Sequence, residues 1–203
     1  MAKPTRGFLG RGKAARDPRL PPGQYDAGDQ WPVLTAEVTP QPDLASWSFS
    51  VEGLVAHPMT WNWEEIHALP GSAYSGDIHC VTTWSKLGVQ FSGVSVDTLL
   101  GIAGLEPTAT HVMAFSSTGY TTNLPLADVS GGRAWVVWEY ESAPLPIEHG
   151  GPARLLVPHL YFWKSAKWVA GLRVLDHDEP GFWEQNGYHD RGDPWLEQRY
   201  QGD

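Results

Sequence analysis

The chain reads as an α+β domain of mixed or antiparallel sheets with short helices at the margins. Three observations predict this. Strand-like segments recur along the sequence, only two segments carry helix start and stop signals, and neither of those runs past ten residues. With 203 residues, 41% hydrophobic content and eleven tryptophans, the chain can bury one sizeable core. No internal repeat is present, so a solenoid is excluded.

The elements follow in order. Residues 1–24 are expected to form a disordered basic leader, because the first nineteen positions hold six basic groups and no apolar run suited to a signal peptide. Residues 25–203 then form a single domain. Trp31 to Thr39 is extended, and Trp47, Phe49 and Val51 alternate with Ser48, Ser50 and Glu52 as a half-buried strand does. Thr60 is placed to cap a helix over Trp61 to Leu69, with Glu64 and Glu65 in its first turn and Pro70 as its stop.

Tyr74 to Thr82 is the next strand, which sets Cys80 late in a strand or just past it. Ser95 to Ala103, closed by Gly104, is a second short helix. Strands are expected at His111 to Ser116, Ala134 to Tyr140, Ala153 to Val157 and Trp168 to Leu175, with an aromatic link from Leu160 to Trp163. The second of these is apolar at nearly every position, as a strand buried on both faces requires. The tail from Asp176 is rich in Gly, Pro and charge but carries Phe182, Trp183, Tyr188 and Trp195, so it is expected to pack across the domain.

Charge narrows the function classes. The net charge is −9, and beyond residue 19 there are eight basic against twenty-two acidic groups. Such a body repels nucleic acid and anionic membranes. No window approaches the roughly 20 apolar residues that span a bilayer. One cysteine cannot form an internal disulfide, which with the lack of a signal-peptide core makes a cytoplasmic protein the expectation; a monomer is expected as well. Four of the eight later basic residues fall between Arg154 and Arg173, a concentration that calls for a local anion.

Two constellations carry chemistry. The first is His79-Cys80 followed by Val81-Thr82-Thr83-Trp84-Ser85, where hydroxyls and an indole surround a lone thiol. A free cysteine is more often a small buried hydrophobe, and a zinc site or a cysteine nucleophile are further readings that no spacing in the chain requires. The second is His149-Gly150-Gly151-Pro152-Ala153-Arg154 with Lys164-Ser165-Ala166-Lys167 downstream. Paired glycines admit close approach to the backbone, and a guanidinium with two ammonium groups suits a phosphate. A glycine turn into an edge strand with solvent-facing lysines is the plainer alternative.

The runs VEGLVAHPMTW at 51–61, IHCVTTWS at 78–85 and HGGPARLLVPHLYFWKSAKWV at 149–169 resemble the molybdopterin domain of the sulfite oxidase family. The likeness is nearest its short bacterial branch, related to the catalytic subunit of the protein-methionine-sulfoxide reductase, and it covers roughly Trp31 to Asp176. The resemblance implies a sulfite oxidase-type molybdopterin-binding fold and a molybdenum-molybdopterin cofactor. It implies that Cys80 ligates the metal, that His149 and Arg154 contact the pterin and its phosphate, and that Lys164, Ser165, Ala166 and Lys167 close over that group. It brings Tyr120 to the metal, assigns a cofactor contact to Ser116 or, preferably, Ser117, and makes Thr35 a weaker contact.

The departures also matter. Relatives that oxidise sulfite follow their cysteine with an arginine-bearing run, whereas Val81 to Trp84 holds no cation. Reduction of a neutral S- or N-oxide is therefore expected ahead of sulfite-type oxidation or a non-catalytic molybdopterin-binding role. The chain carries neither the haem domain nor the immunoglobulin-like domain of larger relatives, so a separate redox protein is expected to exchange the electrons.

Overall fold

The computed structural model describes residues 17–203. Most of the expected leader, positions 1–16, lies outside the described residues. Its remainder, 17–24, is folded: Pro21 and Gln24 are buried, and Gln24 Nε2 donates to the Cys80 carbonyl at 3.1 Å. The packed body thus begins ahead of position 25.

The elements in chain order are β1 (Tyr25–Asp26), β2 (Ser48–Gly53), β3 (Met59–Asn62), α1 (Trp63–His67), β4 (Ser72–His79), β5 (Trp84–Ser95), α2 (Val96–Ala103), β6 (His111–Ser116) and β7 (Thr121–Pro125). There follow α3 (Leu126–Val129), β8 (Trp135–Tyr140), β9 (Ala143–Pro144), β10 (Arg154–Leu156), β11 (Val169–Leu175) and α4 (Phe182–Gln185). Mixed sheets with few, short helices make this an α+β fold, as the sequence predicts.

One sheet is built on β5, which pairs in parallel with β1 and antiparallel with β4 and β8, while β10 and β9 extend it from β8. The other runs β3-β2-β11-β6-β7, with β2 and β11 its parallel pair. Where β5 crosses β8 the register shifts between Ser92 and Gly93, and a Cβ on Gly93 would lie 2.0 Å from the Val136 carbonyl oxygen. Only glycine admits that approach.

Two apolar clusters follow from this layout. The larger gathers Phe49, Val51, Ile66, Leu99, Val112 and Leu172 around the second sheet and α2. The smaller joins Ile78, Trp84, Phe91, Val137, Leu156 and Phe162, and Cys80 belongs to it. Each such side chain contributes about 1.5–3 kcal/mol when fully buried, so Cys80 sits on a well-packed apolar floor.

The helix expected over Trp61 to Leu69 is shorter, and Thr60 does not cap it. Thr60 lies in β3 opposite Ser50, because Trp61 alternates inward with the strand. Asn62 caps α1 instead, accepting from the Glu65 amide at 2.9 Å while Glu65 Oε2 accepts from the Asn62 amide at 2.9 Å. The second helix forms as expected with Ser95 as its cap, its side chain accepting from Thr98 N. The segment from Trp31 to Thr39 forms no regular element, and the tail from Asp176 does pack across the domain.

Candidate functional site

Three loops, at residues 80–84, 147–154 and 162–167, and a strap converge on one cleft of about 270 Å³. The first loop is the turn Cys80 to Trp84 between β4 and β5. Cys80 N donates to the Trp84 carbonyl and Thr83 N to the Cys80 carbonyl, which forces Thr83 to a φ of 76°. The turn holds Cys80 just past its strand, 8% exposed and lining the cleft. Its Sγ lies 3.2 Å from Thr82 Oγ1. Burial pushes the thiol pKa up, against hydrogen bonds from Thr82 and Val81 and the charge of Lys167.

The second loop runs from Ile147 to Arg154. Gly150, at a φ of +109°, lets the chain double back so tightly that a Cβ there would lie 3.0 Å from Lys167 Cα and 3.1 Å from Arg154 Cβ. Arg154 is 1% exposed and donates to the His149 carbonyl at 2.7 Å, the Ser165 carbonyl at 2.6 Å and the Leu155 carbonyl at 3.3 Å. Its guanidinium stands 4.0 Å from the Phe162 ring centroid. Among the described residues no carboxylate pairs with it, and burial lowers its pKa from 12.5 to about 9.

His149 stacks on Trp31 with ring centroids 3.7 Å apart. Burial first, then the charges of Arg154 and Lys167, bring its pKa down to about 4, so it is neutral at pH 7. Lys167 donates to the Leu34 and Glu148 carbonyls at 2.8 and 2.7 Å, and burial, reinforced by Arg154, lowers its pKa to about 8. The strap 31–37, tied down by these contacts, closes one side of the cleft with Trp31, Leu34, Thr35 and Glu37. Glu37 Oε1 accepts from Ser116 Oγ at 3.1 Å.

The expected site residues divide. Cys80, Tyr120, His149, Arg154, Ser165, Ala166, Lys167 and Thr35 all line the cleft. Ser165 Oγ accepts from Val157 N at 2.9 Å, which fixes the loop from within. Tyr120 is 7% exposed, and its hydroxyl donates to the Trp163 carbonyl at 2.7 Å, so that proton is already committed.

Lys164 and Ser117 do not line the cleft. The Lys164 ammonium is fully buried, 2.7 Å from Glu184 Oε1 and 2.8 Å from both the Asn123 carbonyl and Asn123 Oδ1. It ends a 3-10 turn, Phe162–Lys164, that aims it at the tail. Ser117 is exposed and meets the site's surroundings through its amide, which donates to the Trp168 carbonyl at 3.0 Å. Trp31, Glu37, Trp183 and Tyr188 line the cleft without having been singled out as site residues. The tail's aromatic content was the available signal for the last two.

The donor set fits a particular kind of occupant. It combines one soft thiol, a buried guanidinium without a counter-charge and a half-buried lysine, while the expected glycine opening is not part of it: Gly150 and Gly151 do not line the cleft and pack against Lys167 and Leu145 of the protein itself. The buried Trp84 Nε1, on a residue lining the same cleft, has no hydrogen-bond partner. Such a set suits a ligand that joins a thiophilic metal to an anionic group rich in acceptors. Among the described residues no group of three or more His, Cys, Asp or Glu could hold a metal alone.

A family model described as an oxidoreductase molybdopterin binding domain matches residues 36–183. The uncharacterized oxidoreductase YuiH of Bacillus subtilis is 43% identical over 186 residues, covering 91% of this chain and 93% of that one. The protein-methionine-sulfoxide reductase catalytic subunit MsrP of Gluconobacter oxydans is 28% identical over 158 residues, covering 68% of this chain and 50% of that one. Among solved structures, the sulfane dehydrogenase SoxCD from Paracoccus pantotrophus superposes with a TM-score of 0.64 at 20% identity, over 69% of this chain and 41% of that one.

Proposed function

The chain belongs to the family of oxidoreductase molybdopterin-binding domains, with molybdenum-molybdopterin as its cofactor, and from that premise we propose that it reduces a small, uncharged S- or N-oxide. One observation carries this reading. No charged side chain reaches the cleft from the turn that bears Cys80 or from the tail, where Val81, Thr82, Trp84, Trp183 and Tyr188 line it. An anion such as sulfite would find no cation on these segments, since Arg154 and Lys167, the cations that line the cleft, are assigned in this reading to the pterin and its phosphate, and desolvation would then cost several kcal/mol by order of magnitude. A neutral oxide meets no such cost.

In this reading Cys80 would ligate the metal, because a soft thiolate suits a centre that changes oxidation state, and coordination offsets the burial that otherwise favours the thiol. Arg154, Lys167, His149 and the backbone of Ser165 and Ala166 would hold the pterin and its phosphate. When bound, the cofactor supplies the oxygen acceptor and the store for two electrons.

The protein's own residues orient and shield. Thr82 Oγ1 stays within hydrogen-bond distance of the thiol sulfur. Trp84, a cleft-lining residue, has a buried indole N–H without a partner, which an acceptor on the bound cofactor or substrate would satisfy. The Tyr120 oxygen, its proton held by the Trp163 carbonyl, keeps lone pairs for a proton donor that enters with substrate. Each turnover consumes two electrons and two protons and releases the reduced compound and water. The electrons would come from a separate redox protein. Among the described residues no helix is long and apolar enough to cross a membrane.

The test compares wild type with Cys80→Ser, both produced in a molybdenum-replete host. Near-stoichiometric molybdenum and pterin in the wild type, an altered metal centre in the variant, and turnover of sulfoxides or N-oxides with an artificial donor are expected. Unchanged metal spectra in Cys80→Ser would remove the thiolate from the ligand set. Sulfite oxidation that outpaces reduction of every oxide tested would reverse the proposed direction.

A further inference from the structure

We infer that Trp183 and Tyr188, in the tail beyond β11, form an aromatic wall that selects oxides carrying a flat apolar substituent such as an aryl group. The inference rests on the oxide-reductase reading for its reaction but on the tail's own geometry for its specificity.

Both rings line the cleft that contains Cys80, and both come from a segment at or past the end of the family match at residue 183. They act as one unit. Tyr188 N donates to the Trp183 carbonyl at 3.1 Å, and the two rings sit 4.8 Å apart. The Tyr188 ring meets Trp163, also in the cleft lining, at 5.3 Å and 76°, edge to face. Tyr188 thus touches both Trp183 and Trp163, and the three rings make a corner that presents faces and edges to an apolar group.

The corner is anchored from behind. Glu184, between the two residues in sequence, is fully buried and accepts from Trp163 Nε1 at 2.9 Å, Thr122 Oγ1 at 3.1 Å and Lys164 Nζ at 2.7 Å. The tail is therefore bonded to Trp163 and Lys164, and the corner is held from both of its segments. Aromatic faces attract apolar and sulfur-bearing groups, and no charge on the wall rewards an ionic one.

The experiment uses the molybdenum-loaded full chain and two matched pairs of probes. Methyl phenyl sulfoxide and dimethyl sulfoxide report turnover; methyl phenyl sulfone and dimethyl sulfone, which are not to be reduced, report binding by calorimetry. Wild type is expected to prefer the phenyl member of each pair. Tyr188→Ala and Trp183→Ala are expected to reduce that preference about ten-fold, the loss that follows from removing one aromatic face. Tyr188→Phe, which keeps the ring, is expected to retain it. Thermal melting and cofactor content identify any variant that fails to fold, and if Trp183→Ala is such a variant, Tyr188→Ala and Trp183→Phe decide the matter.

An unchanged phenyl-to-methyl ratio in folded, loaded Tyr188→Ala overturns the inference. Loss of cofactor with equal loss of both substrates overturns it too, since the rings would then hold the pterin. Ring-dependent binding of methyl phenyl sulfone without reduction of any sulfoxide would uphold the wall and sink the reductase reading.

Discussion

Arg154→Met separates a residue that holds an anion from one that only holds a loop. The guanidinium makes two short hydrogen bonds, at 2.7 and 2.6 Å, to the carbonyls of His149 and Ser165. Bonds to a charged group contribute about 1.5–3 kcal/mol each, or about 3–6 kcal/mol together. Against them stands the cost of burying the charge: a fall in pKa from 12.5 to about 9 corresponds to about 5 kcal/mol. In the cofactor-free protein the two nearly offset, and methionine keeps contact with Phe162. Urea unfolding of that form should therefore move by less than about 2 kcal/mol. Cofactor retention should collapse, because a buried charge pair lost from an interface costs about 3 kcal/mol, close to 100-fold in affinity. Metal analysis and pterin fluorescence read the second effect. Wild-type cofactor content in Arg154→Met, or a loss above about 4 kcal/mol in the cofactor-free form, would show that the arginine serves the fold alone.

Two further predictions concern buried carboxylates that do not line the cleft. Glu184→Gln leaves the Lys164 ammonium buried without a counter-charge, so it should lose about 3 kcal/mol, and Lys164→Met in the same chain should recover part of it, both read from denaturant midpoints. Asp128 is buried, which raises its pKa, but hydrogen bonds and charge from His159 and Arg191 outweigh burial and hold it well below the usual carboxylate range. A carboxylate whose folded pKa is depressed stabilises the protein above its unfolded pKa of about 3.9, and that stability drains away as pH falls toward the folded value. Asp128→Asn should thus cost about 2 kcal/mol at pH 7, with its cationic partners Arg133 and Arg191 about 40% exposed and partly screened. The gap between wild type and variant should narrow below about pH 4. A gap that stays constant down to pH 3 would contradict the assignment.

Residues with strong local signals were legible in the sequence. Ser95 and Gly104 bracket α2 because a cap and a stop are chemical features of single residues. The alternation of Phe49 and Val51 marks β2, and the apolar run of β8 marks a strand that is buried over Trp135 to Val137 and half-buried from Trp138 to Tyr140. The strand β5 was not legible. Gly88 and Gly93 interrupt it, and bulges against β4 and β8 break its alternation, so its length comes from pairing with three partners. The short β7 was missed too, since Thr121, Thr122 and Asn123 form no periodic apolar face. Within the site, Cys80, His149, Arg154 and Lys167 were found through chemistry and order. Trp31, Glu37 and Tyr188 reach the cleft from irregular segments, and only long-range contacts such as Trp31 on His149 bring them there.

The two lysines of the loop 164–167 show why spacing alone cannot assign a role. They lie three residues apart, and the sequence gives both the same chemistry. The 3-10 turn that ends at Lys164 drives its side chain back toward Glu184, where a carboxylate neutralises it inside the protein. Ser165 then leaves the helical region, at a φ of −101° and a ψ of 79°, and Lys167 emerges into the cleft beside Arg154. One ammonium is spent on fastening the tail, and the other adds to a positive field that already depresses His149 and is opposed by Glu37 alone among the cleft-lining carboxylates. A cleft with that imbalance stays costly until an anion enters it. Cofactor binding and stability are therefore coupled, and a hundred-fold excess of cofactor over its dissociation constant would add about 2.7 kcal/mol to the folded state.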